Sequence, residues 1–213
     1  MSKVKICGIR RKEDILYVNK YLPEFVGFVF AQSKRRINFD AAADLVKNLD
    51  TSIKKVGVFV NETYDNIIDA INKCDLDVVQ VHGDESPRYL GELKNKIMDF
   101  TKEKRIEVWK AFRVKDAMSL HELGSFDADG FVLDAFVEGF YGGAGKKFDW
   151  SLAVNAKKYG KIILAGGLTS QNVIEARNVV SPMVLDVSSG VETDGFKDEK
   201  KISEFICMAR SYE

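Results

Sequence analysis

Residues 24–60, EFVGFVFAQSKRRINFDAAADLVKNLDTSIKKVGVFV, decide the fold. After Glu24 the stretch opens on an apolar run of Val and Phe at 25–30, crosses a basic loop, and continues with Ala42, Leu45, Val46 and Leu49. Their i, i+3, i+4, i+7 spacing sets four apolar side chains on one face of a helix. A second run, Val56-Gly57-Val58-Phe59-Val60, closes the stretch. Neither run alternates apolar with polar residues, so each predicts a strand covered on both faces, as in a parallel sheet flanked by helices. Strand, helix and strand in that order make a βαβ unit.

The same alternation extends outward to both ends of the chain. Strands are expected near 3–8, 24–30, 54–60, 76–82, 106–112, 128–134, 161–165 and 183–187, with helical periodicity between them. Ile202, Phe205, Ile206 and Ala209 repeat the apolar stripe. Helix starts are signalled by Asn61 ahead of Glu62 and Thr63, by Ser86 before Pro87, and by Thr169 before Ser170 and Gln171. Eight such pairs average about 27 residues each, compact for a closed barrel of typically ~250 residues but attainable with short loops. A doubly wound open sheet is the rival, yet Cys7-Gly8-Ile9 stands where a G-x-G-x-x-G turn would follow the first strand. The expected fold is α/β, a closed (β/α)8 TIM barrel. No linker rich in Pro, Gly or Ser divides residues 1–213, so one domain is expected.

Composition narrows the function. Lys and Arg number 32 and so do Asp and Glu, so no global field draws the chain to nucleic acid or an anionic membrane, and neither is expected as a partner. No run approaches the ~18 apolar residues of a membrane span. The N-terminus turns polar at Arg10, Arg11 and Lys12 instead of entering the apolar core of a signal peptide, which predicts a cytoplasmic protein. Cys7, Cys74 and Cys207 lie far apart without metal-ligand spacing, so neither a disulfide framework nor a metal is expected.

In a parallel barrel the residues just after each strand gather at the C-terminal mouth. That rule selects Cys7, Arg35, Arg36, His82, Asp134, Gly166-Gly167 and Ser188-Ser189-Gly190. The last two loops are small enough to present bare backbone N–H groups to a phosphate, and Gly143, Ala144 and Gly145 could add donors. Cys7 reads either as a small buried residue or as a thiolate base or nucleophile. Asp134 ends the apolar run Gly130-Phe131-Val132-Leu133, where a carboxylate must find partners or work as an acid. One arginine of Ser33-Lys34-Arg35-Arg36 could clasp a carboxylate bidentately. His82 reads as a proton shuttle or a structural residue. Lys110 is expected to snorkel to solvent, and Cys74 and Cys207 to be core or surface residues.

Taken in order, these motifs resemble those of the phosphoribosylanthranilate isomerase family. Val4-Lys5-Ile6-Cys7-Gly8-Ile9 is similar to its opening K-[IV]-C-G, and Gln80-Val81-His82-Gly83 to its Q-L-H-G with Val for Leu. Val26 to Phe30 with Ser33-Lys34-Arg35, then Leu133-Asp134, Gly142-Gly143-Ala144-Gly145 before Phe148-Asp149-Trp150, Gly166-Gly167-Leu168 and Asp186 through Glu192 complete the series. The family often carries Thr or Ser where Ala144 stands. The resemblance spans nearly the whole chain. It implies an Amadori rearrangement of N-(5-phosphoribosyl)anthranilate in tryptophan biosynthesis, with Cys7 as general base, Asp134 as general acid and Arg35 holding the anthranilate carboxylate. It further implies Gln80, His82 and Asp186 as second-rank substrate-site residues, no cofactor, and a monomer or homodimer. The related isomerase of histidine synthesis would have Asp in place of Cys7, and the indole-forming barrel needs a lysine and glutamate set not found here. A non-catalytic phosphate-binding barrel would need neither Cys7 nor Asp134.

Overall fold

The computed structural model describes residues 2–102, 104–114, 118–135 and 150–211. Eight parallel strands close on themselves in sequence order, β1 (Lys3–Cys7), β2 (Phe25–Val29), β3 (Lys54–Phe59), β4 (Val78–Val81), β5 (Glu107–Val114), β6 (Gly130–Ala135), β7 (Ile162–Leu164) and β8 (Val184–Val187). Each expected strand segment overlaps one of them; six contain their strand, while β5 and β6 run past the expected ends at 112 and 134. The ring is sealed by β1 against β8, with Lys5 opposite Asp186. Around it stand α1 (Lys12–Tyr21), α2 (Phe39–Val46), α3 (Tyr64–Cys74), α4 (Pro87–Phe100), α5 (Trp150–Ala156), α6 (Val173–Val180) and α7 (Glu199–Arg210). The fifth unit departs from the expected alternation, carrying a 3-10 segment, Met118–Ser125, where an α-helix would stand. A short 3-10 turn (Ser189–Val191) and a small hairpin, β9 (Glu192–Thr193) with β10 (Phe196–Lys197), follow β8.

Two of the three helix starts differ from expectation. Ser86 does cap α4, its side chain accepting from Tyr89 N with Pro87 in the first turn. The cap of α3, however, is Thr63, which accepts from Asn66 N. Asn61 takes a left-handed conformation and accepts from Asp84 N, so its side chain serves the neighbouring loop instead. In α6 the helix begins only at Val173, because Asn172 folds the preceding turn, accepting from Thr169 N and donating to Gly167 O.

Side chains alternate across each strand, and in a closed barrel both faces are interior. One set fills the space between strands and helices, including Val4, Ile6, Val26, Phe28, Val79 and Val81. The other fills the barrel itself, where Phe25, Val56, Val78, Trp109, Val132, Ile163 and Val184 pack together. Phe25 meets Trp109 edge to face at 5.2 Å between ring centres. This apolar floor sits below the next inward layer, and that layer is polar.

Lys110 corrects the snorkelling expectation. It points outward from β5, but outward here means into the sheet–helix layer rather than into water. Its ammonium is buried, donating to Glu85 Oε2 at 3.0 Å and to the Gly83 and Ala111 carbonyls. Glu85 in turn accepts from the backbone N–H groups of Asn61 and Gly83. A buried charge persists where it is paired and hydrogen-bonded in this way.

Candidate active site

Period-two alternation also decides what reaches the C-terminal mouth. The inward positions above the floor are Cys7, Val29, Val58, Gln80, Arg113, Asp134, Ala165 and Asp186. Together with His82, Ser188 and the loop residues Arg35, Gly166, Gly167 and Ser189 they line one cavity of about 710 Å³. Ligand sites commonly fall in this size range. Most of the residues singled out in the sequence therefore meet in one place. Gly190 does not line the cavity; a side chain there would run into the Leu168 carbonyl, so its smallness lets the loops after β7 and β8 pack together. Arg36 lies outside as well, exposed and donating to Gln32 Oε1. Gly143, Ala144 and Gly145 fall outside the described residues.

Cys7 is partly buried at the end of β1. Space for its thiol is made by β2, since a Cβ on Gly27 would lie 2.7 Å from Cys7 Sγ and 3.2 Å from Lys5 Cε. Burial pushes the Cys7 thiol above its ordinary value, and Asp186 adds to this, while Lys5 and Lys197 pull the other way without prevailing. The positive potential around the sulfur therefore comes from side chains, Lys5 and Lys197 foremost.

Lys5 was not among the residues selected by position. It is wholly buried and donates to Gln80 Oε1 at 2.8 Å and Asp186 Oδ2 at 2.7 Å. Burial favours its neutral form, but the charges of Asp186 and Cys7 outweigh that and keep the ammonium. With Gln80 Oε1 so engaged, its amide nitrogen faces His82 Nδ1 at 3.3 Å. An accepting Nδ1 leaves the imidazole proton on Nε2, and Nε2 stands 3.6 Å from Asp134 Oδ2. Asp134 itself is about one-third exposed to the cavity. Asp186 Oδ1 is buried and, among the described residues, unpartnered. The other oxygen, Oδ2, is taken by Lys5.

Arg35 crosses over Gly8, whose positive φ and missing side chain allow the passage; a Cβ there would sit 2.6 Å from Arg35 Cδ. It then meets Glu192, which also bonds Lys197. Burial disfavours the Glu192 charge, yet the bonds from Arg35 and Lys197 hold its carboxyl below the usual range. Positional reading missed Glu192 and Lys197 because both lie beyond β8 in the hairpin. Among the described residues no three His, Cys, Asp or Glu side chains gather as a metal-ligand set, and no helix is long and apolar enough to cross a membrane.

A parallel eight-stranded barrel with a thiol, carboxylates and an imidazole converging on its C-terminal mouth defines a (β/α)8-barrel enzyme. Comparison with known proteins makes the class specific. Residues 4–207 match the family model for N-(5'-phosphoribosyl)anthranilate (PRA) isomerase. The N-(5'-phosphoribosyl)anthranilate isomerase of Acetivibrio thermocellus is 54% identical over 211 residues, covering 99% of this chain and 96% of that one. The crystal structure of phosphoribosyl anthranilate isomerase from Thermotoga maritima superposes with a TM-score of 0.85 at 39% identity, with 99% of each chain covered. Another such isomerase, solved in complex with reduced 1-(o-carboxyphenylamino)-1-deoxyribulose 5-phosphate, gives 0.81 at 36% identity, again covering 99% of each chain. The chain belongs to the N-(5'-phosphoribosyl)anthranilate isomerase family.

Proposed function

We propose that this chain converts N-(5-phospho-β-D-ribosyl)anthranilate to 1-(2-carboxyphenylamino)-1-deoxy-D-ribulose 5-phosphate, the Amadori step of tryptophan biosynthesis. Residues 1–213 act as one catalytic domain, a cytoplasmic monomer or homodimer that needs no cofactor. The observation that carries the reading is the meeting of Cys7 and Asp134 in one cavity with Arg35 and the loops after β7 and β8.

The reaction needs one proton delivered and one removed. Asp134, protonated, gives its proton to the ribose ring oxygen as the C1–O bond breaks, and the anthranilate nitrogen takes up the positive charge as an iminium. Cys7, as thiolate, removes the proton on C2, and those electrons neutralise the iminium to give an enolamine that becomes the ketone. General acid or base roles of this kind contribute ~10²–10⁴-fold each. Arg35 holds the anthranilate carboxylate through N–H groups not taken by Glu192, since a guanidinium has five donors. Asp186, which lines the cavity, is a second-rank contact of the substrate. Gly166, Gly167, Ser188 and Ser189 offer backbone N–H groups to the phosphate, in the place where barrels of this type bind one, and Gly190 packs the two loops that carry them. Gly143, Ala144 and Gly145 belong to the same phosphate reading. Gln80 and His82 fix the site's polar side from beneath.

Mixing the protein with freshly made phosphoribosylanthranilate and following its fluorescence tests the reading. A fall much faster than the spontaneous decay is expected; decay at the spontaneous rate overturns it.

A further inference from the structure

We propose that Lys5 is a positioning residue of this reaction, a buried ammonium fixed by Asp186 and Gln80 that turns its remaining N–H toward Cys7 and stabilises the thiolate form of the base. The inference rests on the reading of Cys7 as base. Its physical content is independent of that reading and can be measured separately.

The geometry supports it from three sides. Lys5 and Cys7 are two residues apart on one strand, so both point into the barrel. Their side chains converge over Gly27, where a single added carbon would touch both Lys5 Cε and Cys7 Sγ. The ammonium has three donors. Two are held by carboxylate and amide oxygens that come from β8 and β4, so the lysine is braced across the barrel and cannot follow solvent. A lysine serving only as filler would be an expensive choice, because an apolar side chain of similar volume fills a core at no desolvation cost.

The charges facing Cys7 work in both directions. Lys5 on β1, Lys197 on β10 and Arg35 from the loop after β2 favour the thiolate, whereas Asp186 on β8 opposes it, and β2 contributes only Gly27 at the contact. Removing Lys5 and removing the charge of Asp186 must therefore shift the thiol in opposite senses. A merely structural brace would not produce this pattern, because breaking it from either end would loosen the same contact.

The test is the pH dependence of Cys7 alkylation by iodoacetamide in the full-length protein, read by mass spectrometry of the Cys7 peptide, which separates it from Cys74 and Cys207. Lys5→Gln is expected to move the midpoint up by about one unit or more, a tenfold loss of thiolate at a fixed pH below it. Asp186→Asn is expected to move it down. An unchanged midpoint in Lys5→Gln, or shifts of the same sign in both, overturns the proposal. If Lys5→Gln does not fold, Asp186→Asn decides alone, a lowered midpoint supporting the proposal and any other result overturning it. Turnover is measured beside it. In Lys5→Gln, kcat/KM at neutral pH should fall by the factor by which the thiolate falls and recover as the pH is raised. A shifted thiol with unshifted turnover keeps Lys5 as the partner of the thiolate and removes Cys7 as the base.

Discussion

Glu192 grips one edge of Arg35 with both carboxylate oxygens, Nε to Oε1 and Nη2 to Oε2 at 2.7 Å each. The pair spans the barrel seam, from the loop after β2 to the hairpin after β8. It fixes the guanidinium plane before any substrate arrives, which is how a bidentate clamp is preorganised.

Replacing Arg35 by Lys keeps the charge and loses the planar fork. The expected result is a drop in kcat/KM of about 10- to 100-fold, the equivalent of one charge-assisted hydrogen bond. Arg36→Lys should change it little, because Arg36 is exposed and bonded to Gln32. Steady-state fluorescence kinetics on the two variants gives the ranking, and the reverse order would move the carboxylate contact to Arg36.

The same ion pair makes a pH prediction. Glu192 is held below its usual value in the folded protein, so its contribution to stability is present above the unfolded carboxyl value of ~4.3 and is lost as the pH falls through the lowered folded value. Urea unfolding of wild type and Glu192→Gln should therefore differ most near neutrality and converge in acid. Curves that stay equally far apart down to the acid limit would sink this assignment.

Lys110 and Glu85 form a buried pair on the outer face of the barrel sheet. Lys110→Met leaves the Glu85 carboxylate buried with backbone donors alone, and should cost about 3–5 kcal/mol of stability. Lys110→Met with Glu85→Gln should recover much of that loss. Chemical denaturation of the single and double variants measures both, and a double variant no more stable than the single would contradict the pairing.

The loops after β7 and β8 should repel an added anion if they hold phosphate. Gly167 has open space where a side chain would go, and its positive φ is one that Asp adopts more readily than most residues, at some backbone strain. Gly167→Asp and Ser189→Asp are thus expected to fold normally and raise KM roughly tenfold or more through like-charge repulsion. Inorganic phosphate should compete with substrate in the wild type. KM unchanged in both variants would take these loops out of the site.

The barrel was legible because Val and Phe runs alternate with helical stripes from end to end, and because parallel strands deliver their C-terminal residues to one mouth. Cys7, His82, Asp134, Ser188 and Ser189 follow from that rule alone. What supports them does not. Lys5 lies 181 positions from Asp186 and 75 from Gln80, and only the sealing of β1 against β8 and the width of the barrel bring those groups together. A signal was present, since a lysine inside an apolar strand must find an anion, but its partner cannot be read from spacing. Lys110 carries the same signal. It does not snorkel, because the outer face of a barrel strand faces helices and not water. Arg35 is legible as a residue beside the mouth, while the carboxylate that grips it lies in the hairpin after the last strand, where no periodicity marks it.

The most direct test of the account is a comparison of kcat and KM for Cys7→Ser and Asp134→Asn with freshly made phosphoribosylanthranilate. Serine presents a hydroxyl of far higher pKa at the position of the base, and asparagine keeps the shape of the acid without its proton. Each variant is expected to lose at least about 10²-fold in kcat with KM little changed, because the groups proposed to bind carboxylate and phosphate are untouched. Turnover near the wild-type rate in either variant would contradict the acid–base pair at the centre of the account.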